Sequence, residues 1–388
     1  MMSAPVPVAN ADAQNLAALE TPCLLLDVDR LERNCERMLA RTRGLGVKLR
    51  PHLKTAKSAE VARRAIDVSR SVTVSTLKEA DYFARHGYSD IVCAAAVVPA
   101  KLGHAARIQG ANDCDLILVT DSLAVARESA DFAAVNHATF SYLIEIDCGE
   151  HRSGLLPTDG AVIEIARAIH QCSRLRFRGV LTHAGHSYGT NEPTKVAEIA
   201  AIERDAAVTA AAGIRAAGIP CEIVSVGSTP TVLHADHLQG VTEARAGIYM
   251  LWDLAQLSRN MCREDEIAVS VLGSVIGHNR QGGVIILDAG ALALSKDIGA
   301  NKHLPGAGYG LLCDAQSLAR LEGLAIDVVH QEHGTVTVDD ESWFERLPVG
   351  SLVRILPNHA CLTCAGYEEY HVVRGATVVD RWTRINGW

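Results

Sequence analysis

Three kinds of side chain in this sequence could do chemistry. The stretch RPHLKTAK, residues 50–57, sets Lys54 after a short apolar run, and a lysine there suits Schiff-base chemistry, since burial can lower its pKa enough to supply a free amine. Arg152 in IDCGEHRSG and His183 in GVLTHAGHSY stand at similar places, where an apolar run gives way to polar residues. The run GSTPT, residues 227–231, offers small residues, backbone N–H groups and hydroxyls before a short helix, which makes a phosphate cradle. GIYM, after EARA, offers another. In NHACLTC, His359 and Cys361 lie two apart, so in an extended segment both would point the same way as a zinc-type imidazole and thiolate pair. Each feature has a plainer reading. Lys54 could be a surface lysine, GSTPT an ordinary turn, and His359 with Cys361 a core pair. Cys361 and Cys364 could also form a C-x-x-C redox pair or part of a structural cysteine site.

These residues need a scaffold that brings distant loops together. Short apolar runs such as VTVS, DIVCAA, DLILVT, YLIEID, FRGVLTH, EIVSVG and VTEARAG alternate with helical stretches up to about residue 250. Thr76 with Glu79 forms a capping box for LKEADYFARHG, and an Ala-rich helix is expected over about residues 194–217. Alternation of this kind means βαβ units and a parallel sheet. The number of units favours a closed (β/α)8 barrel of the TIM type over an open doubly wound sheet, with the active site at the C-terminal ends of the strands. After about residue 265 the pattern becomes β-rich, as in GGVIILDAG, SLVRILP and EYHVVRGATVVDRW. The expected division is a barrel over 21–262 and an all-β domain over 263–388, with residues 1–20 able to pack on the latter.

The 388 residues suit a large barrel plus a second domain. A net charge of −8 with interspersed signs argues against nucleic acid as the main partner. No apolar run approaches the roughly 18 residues of a membrane span. The opening MMSAPVPVANADAQ lacks the basic and apolar regions of a secretory signal. Eleven dispersed cysteines fit reduced thiols and a cytoplasmic location better than a disulfide framework.

Taken in order, RPHLKTAK, VSTLKEA, IEIDCGEHRSG, GVLTHAGHSY, VSVGSTPT, TEARAGIY, LDAGALALSKD, QEHG and ILPNHACLTC resemble the D-serine dehydratase and D-threonine aldolase group. These are fold-type III pyridoxal phosphate enzymes with an alanine-racemase-like barrel, and the likeness runs from about Thr21 to Trp388. The resemblance implies that Lys54 carries pyridoxal 5'-phosphate, that Arg152 contacts its phenolic oxygen and that His183 lies against its ring. Tyr188 would also contact the cofactor. Gly227, Ser228, Thr229, Gly247 and Ile248 would hold its phosphate. His359 and Cys361 would hold zinc. The aldolase branch typically has H-x-D at that place, so Cys361 points to the dehydratases. The expected reaction is β-elimination from a small D-3-hydroxyamino acid, such as D-serine or D-threo-3-hydroxyaspartate, to a 2-oxo acid and ammonia. The alternatives are retro-aldol cleavage to glycine and an aldehyde, racemisation, or a non-catalytic pyridoxal phosphate carrier. A homodimer is expected from the same likeness.

Overall fold

The computed structural model describes residues 14–66 and 69–388. Residues 1–13 of the opening segment read for a signal lie outside them, as do Asp67 and Val68. By internal contacts the chain forms two compact units, each interrupted in sequence. Of the described residues, one comprises Glu32–Trp252, Gln256–Glu266 and Arg384–Trp388; the other takes in those up to Leu31, Asp253–Ala255 and Ile267–Thr383.

The first unit is the barrel. Its strands are β1 (Lys48–Leu49), β2 (Ser71–Val74), β3 (Asp90–Cys93), β4 (Asp115–Thr120), β5 (Phe140–Ile146), β6 (Leu175–Thr182), β7 (Ile223–Val226) and β8 (Glu243–Ala244). They run parallel in the order β1-β8-β7-β6-β5-β4-β3-β2. A parallel bridge between His52 and Thr73 joins the two ends, so the sheet is a closed ring. Both faces of the sheet are covered, and a run such as Ser71–Val74 is buried along its whole length. The intervening helices follow the sequence pattern. Thr76 caps Leu77–Arg85 by accepting from the Glu79 N–H, and Leu77, Ala80, Phe83 and Ala84 form its buried stripe. Pro193–Ala216 is the Ala-rich helix.

The barrel interior is not wholly apolar. Val92, Ile117, Val119, Leu143, Leu181 and Ile223 form one cluster. Arg50, 1% exposed, reaches both Glu243, through Nε at 2.9 Å, and Asp90, through Nη1 at 2.7 Å. Ser71 and Lys48 extend this chain of partners at Asp90, and Ser225 extends it at Glu243. Burial would raise the Asp90 pKa, but Arg50 outweighs it with hydrogen bond and charge and holds it at about 2.

The second unit is mostly antiparallel sheet. Val269–Asn279 is its centre, pairing with Val284–Leu287, Leu352–Pro357 and Cys23–Asp27. Cys23–Asp27 also runs parallel to Glu369–Arg374, so this strand belongs to the sheet unit, whereas the sequence reading begins the barrel at residue 21. Gln14–Asn15 pairs with Thr377–Thr383. None of the eleven cysteines is joined in a disulfide. No helix among the described residues is long and apolar enough to cross a membrane.

Candidate active site

Five neighbouring barrel strands, β5, β6, β7, β8 and β1, end in the residues singled out by sequence. Because the strands are parallel, all those ends lie on one side of the ring. After β1, Leu53–Ala56 makes a turn in which Lys54 is exposed, closed by the Lys57 N–H donating to the Leu53 carbonyl at 2.8 Å. After β5, Arg152 lies on the loop and is half exposed, 3.5 Å from Glu150. Glu150 also accepts from the Gly185 N–H at 3.1 Å, which joins this loop to the one after β6.

His183 follows β6 directly. Its Nδ1 lies 2.6 Å from the Gly227 carbonyl oxygen, so Nδ1 carries the proton and donates. Burial is the main cause that pushes this imidazole down to about 3, and the charges of Lys54, Arg245 and Arg152 push the same way. The hydrogen bond to the Gly227 carbonyl opposes them, with less effect than burial but more than any one of those charges. His52 is lowered too, by burial first and then by Lys54, Arg245 and His183. Lys54, His183, Arg152 and Arg245 therefore share one electrostatic neighbourhood.

The glycines answer a steric demand. Gly227 has φ +151°, and a Cβ there would stand 2.1 Å from the Arg245 carbonyl oxygen. A Cβ on Gly247 would stand 2.6 Å from the His52 carbonyl oxygen. Ser228 caps Thr229–His234 in a reciprocal capping box with Thr231, as the GSTPT reading expected of a short helix. The Thr229 N–H donates to the Tyr188 hydroxyl at 3.3 Å, and the Gly247 N–H to the Thr229 hydroxyl at 3.2 Å. Ile248 is buried in the turn that follows. These N–H groups face oxygen acceptors that a phosphate could replace, and the surrounding cations suit a dianion. The set fits pyridoxal phosphate.

Two residues escaped the sequence reading. Arg245 is 4% exposed and donates to the Ser225 hydroxyl and the Thr182 carbonyl, both at 2.5 Å. Burial lowers its pKa, while Glu243, Glu203 and Glu145 oppose that. A lone arginine in the apolar run TEARAG was the available signal. Glu203, on Pro193–Ala216, is buried and accepts from the Ala184 N–H, the Gly227 N–H and the Thr231 hydroxyl at 2.7–3.0 Å. One carboxylate thus ties the backbone beside His183 to the cradle. A glutamate on an Ala-rich helix carried no sign of this.

The second group lies in the sheet unit. His359 is the N-cap of Ala360–Cys364, with φ −139°, and Cys361 is in the first turn. The extended segment expected from H-x-C is therefore corrected: a helix start brings the pair together, and His359 and Cys361 still interact by hydrogen bond and charge. Asp297 Oδ2 sits 2.7 Å from His359 Nδ1. Burial pulls His359 down, but Cys361, Asp253 and Asp297 more than reverse this and push it up to about 10. The surroundings thus favour a positive charge here. Asp297 on Nδ1 leaves Nε2 as the donor, the carboxylate–histidine pattern of metal sites. Among the described residues no group of three or more His, Cys, Asp or Glu side chains could hold a metal ion, so a zinc here would take its remaining ligands from water or substrate.

Comparison with known proteins finds two family matches along the chain. Residues 26–254 match the family described as alanine racemase, N-terminal domain, and residues 268–373 the putative serine dehydratase domain. The chain is similar to a D-threo-3-hydroxyaspartate dehydratase of Delftia sp. (strain HT23), 42% identical over 96% of this chain and 99% of the relative. It is also similar to a D-serine dehydratase of Dictyostelium discoideum, 31% identical over 94% of this chain and 96% of that one. A solved structure of a D-threo-3-hydroxyaspartate dehydratase, a cysteine-to-alanine mutant in the metal-free form, superposes with a TM-score of 0.92 at 40% identity. That match covers 97% of this chain and all of the other. The chain thus belongs to the serine dehydratase family that is built on an alanine-racemase-type barrel.

Proposed function

We propose that this chain is a pyridoxal-phosphate-dependent lyase. It would convert a D-3-hydroxyamino acid, such as D-threo-3-hydroxyaspartate or D-serine, to a 2-oxo acid and ammonia. One observation carries the reading: a lysine, two arginines and a neutral imidazole gather beside the Thr229 and Gly247 N–H cradle at one end of the barrel. The names of the similar proteins support the substrate class.

Bound there, pyridoxal phosphate supplies an electrophilic carbon for the substrate amine and an electron sink for the α-carbon. Lys54 is the base: its amine takes the α-proton. A base fixed on one side selects one enantiomer, here the D form. His183 stays uncharged and keeps its Nδ1 proton on the Gly227 carbonyl, so it presents a neutral ring face. Arg245 supplies a buried cation. His359 and Cys361 would hold zinc, which supplies a Lewis acid for a departing hydroxide, a poor leaving group by itself. The cysteine mutant of a similar enzyme in a metal-free form supports that assignment. The enamine product hydrolyses to the 2-oxo acid and ammonia.

The test is product analysis with D-serine, D-threo-3-hydroxyaspartate and D-threonine, with and without a chelator. Ammonia should appear in step with the 2-oxo acid, and the chelator should stop it while leaving the protein yellow. Glycine and an aldehyde would mean retro-aldol cleavage instead.

A further inference from the structure

The turn that presents Lys54 is not held by the barrel strands alone. Residues 384–388 follow the last strand of the sheet unit, Thr377–Thr383, yet belong to the barrel unit. Arg384 is 8% exposed. Its Nε donates to the Ala56 carbonyl at 3.2 Å and its Nη2 to the Thr55 carbonyl at 3.1 Å. The next residue continues the pattern, with the Ile385 N–H donating to the Lys57 carbonyl at 2.9 Å. Three successive carbonyls, immediately after Lys54, are therefore met by two successive residues from the far end of the chain.

The need for this contact is physical. Thr55 and Ala56 are fully buried, so their carbonyls must find donors inside the protein. The turn reverses direction at Lys57, which adopts φ +48°, a left-handed conformation unusual for a lysine. A guanidinium can meet two adjacent carbonyls in one plane, and its charge shortens and strengthens both bonds. A lysine ammonium has three donors but lacks the planar fork that matches two adjacent carbonyls. On the other side of the turn, Lys57 Nζ lies 3.3 Å from Glu79, whose other oxygen accepts the Ser75 N–H. The turn is thus clamped from two sides.

We propose that Arg384 is a positioning residue for the reaction: it aims the amine of Lys54 by fixing the turn directly after it. The proposal rests on reading Lys54 as the cofactor lysine. Displacing a reacting group by about 1 Å can cost on the order of 100-fold in rate.

The experiment compares Arg384→Ala, Arg384→Lys and Ile385→Pro with the unaltered holoenzyme, following the cofactor's visible band, its pH midpoint, cofactor release on dialysis, and kcat and KM separately. For Arg384→Ala we expect a shifted midpoint, faster cofactor release and kcat reduced on the order of 100-fold with KM nearly unchanged. Millimolar methylguanidinium should restore part of the loss. Arg384→Lys should fall between, and Ile385→Pro should give a smaller shift of the same sign. A folded Arg384→Ala protein with unchanged midpoint, release and kcat overturns the proposal. If that variant does not fold, an unmoved band and kcat in Arg384→Lys overturn it equally. Borohydride reduction and peptide mapping of the unaltered protein separate the two claims. A label on another lysine defeats the reading of Lys54, whereas a label on Lys54 with unmoved variants defeats only the role of Arg384.

Discussion

His183 and His359 carry the same ring and meet opposite fields. His183, in the barrel unit, is surrounded by Lys54, Arg245 and Arg152, and burial with those cations takes it down to about 3. His359, in the sheet unit, is surrounded by Cys361, Asp253 and Asp297, which overcome burial and take it up to about 10. The first environment favours negative charge, and the second positive charge. The architecture differs in parallel. The barrel site is built largely from backbone, with N–H groups and glycines at strand ends. The sheet site is built from side chains around the start of a five-residue helix. One chemistry needs a shaped cradle for a large group; the other needs only donor atoms in the right number.

The contrast can be broken by substitution, and the largest effect belongs to Lys54. Lys54→Ala should reduce elimination by about 10^4-fold, since it removes the base, and should leave no borohydride label at residue 54. Removing a donor in the sheet unit should act differently. His359→Ala and Cys361→Ala should each reduce elimination by about 100- to 1,000-fold yet keep the cofactor's visible band, while Cys364→Ala should keep both zinc and most activity. Equal loss in all three cysteine and histidine variants would mean that the segment matters only for folding. A milder effect is expected for Asp297→Asn, which keeps the ligands but alters the partner of His359. Zinc affinity measured by competition with a chelator should fall by about 10- to 100-fold.

The smallest effect sharpens the comparison through stability. The folded pKa of His183 lies below its unfolded value, so folding favours the neutral ring. Its contribution is fully present above about pH 6.5 and is lost as pH falls from there towards about 3, at no more than about 1.4 kcal/mol per pH unit. Denaturant titrations of the apoprotein should show this slope, and His183→Gln should flatten it. An unchanged slope would show that the imidazole already titrates normally.

Much of this was legible in the sequence, for identifiable reasons. Parallel strands and their helices alternate along the chain, so local periodicity reports the barrel. Lys54, His183 and the GSTPT run stand where an apolar stretch stops, which marks a strand end. Cys23–Asp27 could not be placed this way, because a short buried strand reads the same in a parallel ring or an antiparallel sheet. The partners of Arg50, Glu203 and Arg245 were also hidden, since a buried charge is explained by residues far away in sequence. H-x-C named two residues that do interact but implied the wrong backbone, because a two-residue spacing fits a strand and also the cap and first turn of a helix.

The reach of Arg384 across the chain bears on how the protein is made. Its partner Ala56 precedes it by 328 residues. At ribosomal rates of about 5–20 residues per second, the turn bearing Lys54 exists for on the order of 15–65 s before its strap is synthesised. During that interval Ile267–Thr383, the larger part of the sheet unit, must also emerge. If Lys54 is the cofactor lysine, a nascent or truncated chain would carry it without the contact proposed to aim it, and competence for the cofactor would come late in synthesis even though the lysine itself comes early.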